Sequence, residues 1–262
     1  MRNSPLKVKL MSRTNHKRAP ASLGYEDMAE KIKDIIPKEK VSKKIEGPVV
    51  KNLTRNVSIR TFPIAIGIPM DEVLFSQFLS NLMNLSIMPW DMVLTSVSTF
   101  VCDARNKIHN GFIESKGPTH LFMIDSDVLP PPDTIERLLR HDLPVVGGWY
   151  RKKERFSVKD LDGTTKQIQR PVVYDYDSFD EKIGKYLFTE RFDAGKGLEK
   201  VDGMGAGCWM IRRDVAEAIG KDPFSLDFGG EDLTFCKSIN KAGFDVIVDW
   251  DIACAHAGVS YV

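Results

Sequence analysis

From Phe62 onward, short unbroken apolar runs alternate with stretches whose apolar residues recur every three or four positions. The first pattern predicts buried strands and the second predicts amphipathic helices. Residues 62–68 read as a strand stopped by Pro69. Residues 72–85 read as a helix, with Val73, Phe75, Phe78, Leu79, Leu82 and Leu85 on one side. Met92–Val97 is a second strand, and 104–115 a helix that turns Ile108, Phe112 and Ile113 inward. His120–Ile124 is a third strand and runs straight into Asp125-Ser126-Asp127. Pro130, Pro131 and Pro132 then break the chain. Asp133 caps a helix to residue 140, with Glu136 completing a capping box. Residues 144–146 form a fourth strand, closed by Gly147-Gly148.

Strands and helices in strict alternation predict an α/β fold. Its central sheet is mostly parallel, with helices on both faces. Ligands of such sheets sit outside the carboxyl ends of the strands. Asp125 and Asp127 fall at such an end. Residues 151–200 are more polar, with strands at 169–174 and 185–189, and read as an excursion or hairpin over the site. A glycine-rich strand follows at 201–212, then helices at 214–219 and 231–242, and a last strand at 244–248. His256 lies just beyond it.

Charge divides the chain differently. Residues 1–58 carry 14 Lys/Arg against 6 Asp/Glu, a net +8, while the remainder carries 23 against 30, a net −7. This separates a basic N-terminal extension, 1–58, from an acidic domain, 59–262. The extension reads either as a disordered tail with a helical strap at 25–36, or as an electrostatic arm for an acidic partner. No apolar stretch is long enough to span a membrane, and no secretory pattern opens the chain. The four cysteines, Cys102, Cys208, Cys236 and Cys254, show no zinc spacing. Three lie in apolar or glycine-rich surroundings, which points to a reducing, cytoplasmic setting.

Five clusters carry candidate chemistry. Asp125 and Asp127, two apart on an extended strand, point the same way, and a divalent cation between them relieves their repulsion. Gly229-Gly230-Glu231-Asp232 opens a helix; its acids either stabilise the first turn or supply a general base. His256, after the last strand, is either structural or a third metal ligand. Gly203, Gly205 and Gly207 clear one strand face, for a ligand or for a packed neighbour. Arg105 and Lys107, near a helix start, meet either phosphates or solvent.

Together, in this order, these clusters resemble the family-2-like glycosyltransferases of GT-A fold, over residues 63–258. The pieces that carry the resemblance are Ala104-Arg105-Asn106, Asp125-Ser126-Asp127 with its prolines, Gly229-Gly230-Glu231-Asp232 and His256. Residues 231–256 are most similar to small bacterial and phage-encoded members, whose setting is the cytosol of the bacterium or of the infected host. The resemblance implies a GT-A fold and a hexosyltransferase that uses a UDP- or GDP-sugar with Mn²⁺ or Mg²⁺. It implies that Asp125, Asp127 and His256 hold the metal. Pro69, Asp71, Arg105, Asn106, Asp125, Ser126 and Gly205 would meet the donor. Asp232, with Glu231 beside it, would serve as the catalytic base. The acceptor is left open, as a glycan, a lipid-linked acceptor or a modified nucleic acid, and the basic extension suits an anionic one. Two other readings stand beside this one. A sugar-nucleotide nucleotidyltransferase would need a basic glycine-rich loop after the first strand, where the chain has Gly67-Ile68-Pro69-Met70-Asp71. A nucleic-acid-binding module built on the basic arm would need aromatic interleaving, which residues 1–58 lack.

Overall fold

The computed structural model describes residues 60–70, 74–159, 162–182, 185–227 and 229–258. The chain divides into two units, residues 1–56 and 57–262. The basic extension, the 25–36 helix and Asp71 lie outside the described residues.

The strands are β1 (Ala65–Met70), β2 (Met92–Val97), β3 (His120–Ile124), β4 (Val128–Leu129), β5 (Val145–Trp149), β6 (Phe156–Lys159), β7 (Thr165–Ile168), β8 (Val173–Asp180), β9 (Lys185–Glu190), β10 (Leu198–Val201), β11 (Gly203–Met204), β12 (Cys208–Arg212), β13 (Val246–Ala253) and β14 (Ala255–His256). The helices are α1 (Ser76–Leu82), α2 (Val101–Glu114), α3 (Thr134–His141), α4 (Arg213–Ile219) and α5 (Glu231–Lys241). Seven strands form the central sheet in the order β10-β13-β5-β12-β3-β1-β2. Strands β1, β2, β3, β5 and β13 run one way, and β10 and β12 run against them. This is the mixed α/β sheet the patterning predicts.

Two cores flank the sheet. On one face Ile108 and Phe112 of α2 join Val215 of α4 and Phe235 and Ile239 of α5 over Leu121, Met123 and Trp209. On the other, Phe78 of α1 and Ile135 and Leu138 of α3 cover Ile66, Phe122, Ile124 and Met210. Alternate residues of β3 thus serve opposite cores, as a strand covered on both faces requires. Trp209 is fully buried and stacks on Phe235 at 5.0 Å, so its role is packing.

Several elements differ from expectation. Strand β1 runs through Pro69 to Met70. Its pairing with β3 ends at Gly67, while that with β2 continues. Pro69 therefore sits where one side of the strand is open and its missing N–H costs little. Asp133 makes no side-chain cap. The Thr134 N–H is taken by Pro131 O in the proline turn, and no capping box forms. The expected strand over 201–212 is three pieces: β10 pairs with β13, β11 with β8, and β12 with β3 and β5. The 151–200 region is two hairpins, β6–β7 and β8–β9.

Candidate active site

The carboxyl ends of β1, β2 and β3 open onto a cavity of about 620 Å³. Its lining includes Pro69, Ser98, Thr99, Asp125, Ser126 and Asp127. That volume lies within the range of small-molecule sites. Four expected residues, Pro69, Asp125, Ser126 and Asp127, come together here because β1 and β3 are adjacent and parallel.

The two aspartates do not point the same way. Extended geometry ends at Ile124, and the Val128 N–H donates back to Asp125 O in a turn. Asp125 accepts from Arg105 Nη2 at 2.8 and 2.9 Å. Asp127 accepts from Lys153 Nζ at 2.6 Å and faces His256 Nε2 at 3.4 Å. Each carboxylate thus has its own cation, which relieves the repulsion the spacing implies.

Arg105 is the hub of the first group. Only 3% exposed, it also donates through Nη1 to Glu231 at 2.6 Å and Asp232 at 2.7 Å. Burial alone would lower its pKa, but the surrounding carboxylates, Asp125 and Asp232 foremost, hold it above the ordinary guanidinium range. Three acids share one cation, and the deficit falls on Asp232. Burial raises its carboxyl to about 6, Glu231 and Asp125 add to the rise, and Arg105 and the Ala206 N–H oppose it. Gly229 and Gly230 sit at φ 96° and 155°, in the region only glycine enters freely, and this delivers Glu231 and Asp232 to the start of α5. Arg105 is enclosed by carboxylates and does not reach the cavity as a free phosphate donor. Asn106 is also committed: its amide pairs with both N and O of Phe224 and pins the 221–227 loop.

His256 is brought to Asp127 by β14, which pairs with β4. Its Nδ1 lies 2.8 Å from Arg151 O, and a carbonyl can only accept, so Nδ1 carries a proton. The other ring nitrogen, Nε2, faces the Asp127 carboxylate. Burial pushes the Asp127 carboxyl up, but His256 and Lys153 outweigh it and hold it at about 2. A carboxylate oxygen and an imidazole nitrogen braced by a carbonyl form a donor pair that suits a divalent metal. The fit is for two ligands. Asp125 is tied to Arg105, and among the described residues no three His, Cys, Asp or Glu side chains are grouped to hold a metal.

Tyr150 and Lys153 are site residues that sequence reasoning missed. Tyr150 is buried, accepts from the Gly207 N–H at 3.3 Å and stands edge-on to His256, ring centroids 4.9 Å apart. Burial, with Asp232 and Asp125 nearby, raises its phenol well above 10, so it stays neutral. Tyr150 also accounts for the glycines: a Cβ at Gly205 would lie 2.3 Å from its oxygen, and one at Gly207 2.8 Å from its ring. The space at Gly205 is filled by this phenol. The signal for both missed residues was their place, in the run 149–155 directly after the carboxyl end of β5.

No family model matches the chain, and no curated protein matches it. Among solved structures it is similar to A197 from STIV, with 20% identity, a TM-score of 0.50, and 76% of this chain and 86% of that one covered. It is also similar to GalNAc-T7, solved with UDP, GalNAc and Mn²⁺, with 10% identity, a TM-score of 0.47, and 74% of this chain and 44% of that one covered. The likeness to A197 shows a shared fold; the second is too distant to add to it.

Proposed function

We propose that the chain is a metal-dependent glycosyltransferase of GT-A type that moves a sugar from a nucleotide-diphosphate sugar to an acceptor hydroxyl. The observation that carries this reading is a strand-end cavity lined by Asp125 and Asp127, with Asp232 tied to Asp125 through Arg105 and raised to about 6. The cavity bordered by Pro69, Asp125 and Ser126 takes the nucleoside. Asp127 and His256 would hold Mn²⁺ or Mg²⁺. Bound there, the metal supplies charge neutralisation for the departing diphosphate.

The chain's own residues do the rest. Asp232, ionised above about pH 6, accepts the proton of the acceptor hydroxyl as that oxygen attacks the sugar. Arg105 fixes the carboxylates of Asp232 and Asp125 to one buried point, so base and donor site keep their separation. Lys153 adds a positive charge beside Asp127, on the side where diphosphate charge accumulates. Tyr150 walls the site and braces His256.

The test is turnover. With Mn²⁺ and a panel of UDP- and GDP-sugars, the chain should release the nucleoside diphosphate faster than its Asp232→Asn variant does, and EDTA should stop the release. Equal rates in the two proteins would remove Asp232 from the mechanism. Release of pyrophosphate from a nucleoside triphosphate and a sugar phosphate would favour nucleotidyl transfer instead.

A further inference from the structure

A second cavity, of about 800 Å³, opens beside His256 and shares no lining residue with the first. Its lining holds Arg151, Lys153 and Arg155 and no carboxylate. A third, of about 570 Å³, shares Arg151, Arg155 and Gln169 with it and adds Phe192 and one acid, Asp193. The two form a continuous groove leading away from Asp127.

Within this groove Arg151 and Arg155 have no acidic partner among the described residues, while Lys153 is paired with Asp127. Lys152 turns away to Glu190, Arg191 is held by Asp175 and Glu199, and Arg212 by Asp214. Arg151 donates to Gln169 O at 2.5 Å and lies over Trp149, with no acid. Arg155 is exposed and has no hydrogen bond or ion pair with any described residue. An acidic domain that leaves guanidinium groups uncompensated along one groove has a place for an anion.

A flat aromatic face stands on the same groove. The Arg170 guanidinium lies 4.7 Å from the Phe156 ring centroid and 4.0 Å from that of Phe192. Phe192 contributes to the groove lining and is 54% exposed. A phosphate alone, or a lipid headgroup, has no use for such a ring. Cations along a groove with an exposed ring beside them suit a single nucleic-acid strand, whose phosphates take the charge and whose bases stack.

We propose that Arg151, Arg155 and Phe192 bind single-stranded nucleic acid, which serves as the acceptor in the transfer reaction; that role rests on the glycosyltransferase reading. The groove leads from the strand to Lys153 and His256, beside the donor cavity.

The test uses the full chain and a fluorescein-labelled oligothymidylate of about 12 nucleotides, followed by anisotropy across a salt series. Arg155→Ala and Phe192→Ala should each weaken binding by about fivefold or more. Arg155→Ala should also make the slope of log affinity against log salt shallower by about 0.7. Lys116→Ala, which removes an exposed cation elsewhere, should bind as the parent does. Parental affinity and salt slope in both groove variants would overturn the proposal. So would Arg155-dependent binding of phosphatidylglycerol vesicles without such binding of the oligonucleotide. Melting of the same proteins with sugar nucleotides keeps the two readings apart. Arg155→Ala should retain any donor-induced shift. A parent chain that binds the strand through Arg155 and Phe192, yet melts unchanged with every sugar nucleotide, supports the groove and overturns the acceptor role.

Discussion

Arg105 grips Asp125 through one nitrogen, Nη2, at 2.8 and 2.9 Å, and uses the other, Nη1, for Glu231 and Asp232. One buried guanidinium therefore joins the end of β3 to the start of α5. Removing it leaves three carboxylates facing one another. Arg105→Met should cost roughly 3–5 kcal/mol in urea denaturation at pH 7. The cost should shrink at pH 5, because Asp232, already raised to about 6, then takes a proton and removes one of the three charges.

As the proposed base, Asp232 should set the pH dependence of turnover. A base must be unprotonated, so the rate should rise with pH through about 6 and level off above it. Asp232→Asn should lower turnover by about 10²- to 10⁴-fold while the donor still binds. A variant with parental turnover, or a rate that falls through pH 6, would contradict the assignment.

His109 sets a separate dependence, of stability on pH. Burial lowers its pKa to about 4, against the opposing pull of the Gly220 and Ala216 backbone and Asp222. Between about pH 4 and 6.5 the unfolded chain binds a proton here that the folded chain does not. Stability should therefore fall as pH drops through that window, by on the order of 3 kcal/mol from this residue. His109→Gln should flatten that part of the profile, read from urea midpoints between pH 4 and 7.

Gly205 and Tyr150 form a coupled pair. A methyl at Gly205 meets the phenol oxygen at 2.3 Å, so Gly205→Ala should destabilise by about 1–3 kcal/mol. In a Tyr150→Phe background that oxygen is gone and the cost should be smaller. A double-mutant cycle that gives strict additivity would contradict the contact.

These contacts show where the sequence is legible and where it is not. The run Leu121-Phe122-Met123-Ile124, in its alternation with helical segments, reads as a strand covered on both faces, so the position of Asp125 and Asp127 could be read from it. Their directions could not, because the turn after Ile124 is a backbone hydrogen bond that no spacing reveals. The partners of Arg105 at 231 and 232 lie more than a hundred residues away, and only the sheet order brings them together. Residues 201–212 read as one strand because the glycine-rich run leads into apolar residues without a break, although the pairing partner changes twice. The hairpins from 156 to 190 rest on cross-strand pairs such as Tyr176–Phe188 and on stacks such as Arg170–Phe192. They add little to either core and leave only a faint apolar rhythm.

In the proposed function a sugar nucleotide would bind beside a metal held by Asp127 and His256. The melting temperature of the chain with UDP- or GDP-sugars and Mn²⁺, with and without EDTA, tests this, because a ligand that binds only the folded state must raise it. A rise with one nucleotide class, removed by EDTA and abolished by Asp127→Ala, is the expected result. A rise that survives both EDTA and Asp127→Ala, or no rise with any sugar nucleotide, would contradict it.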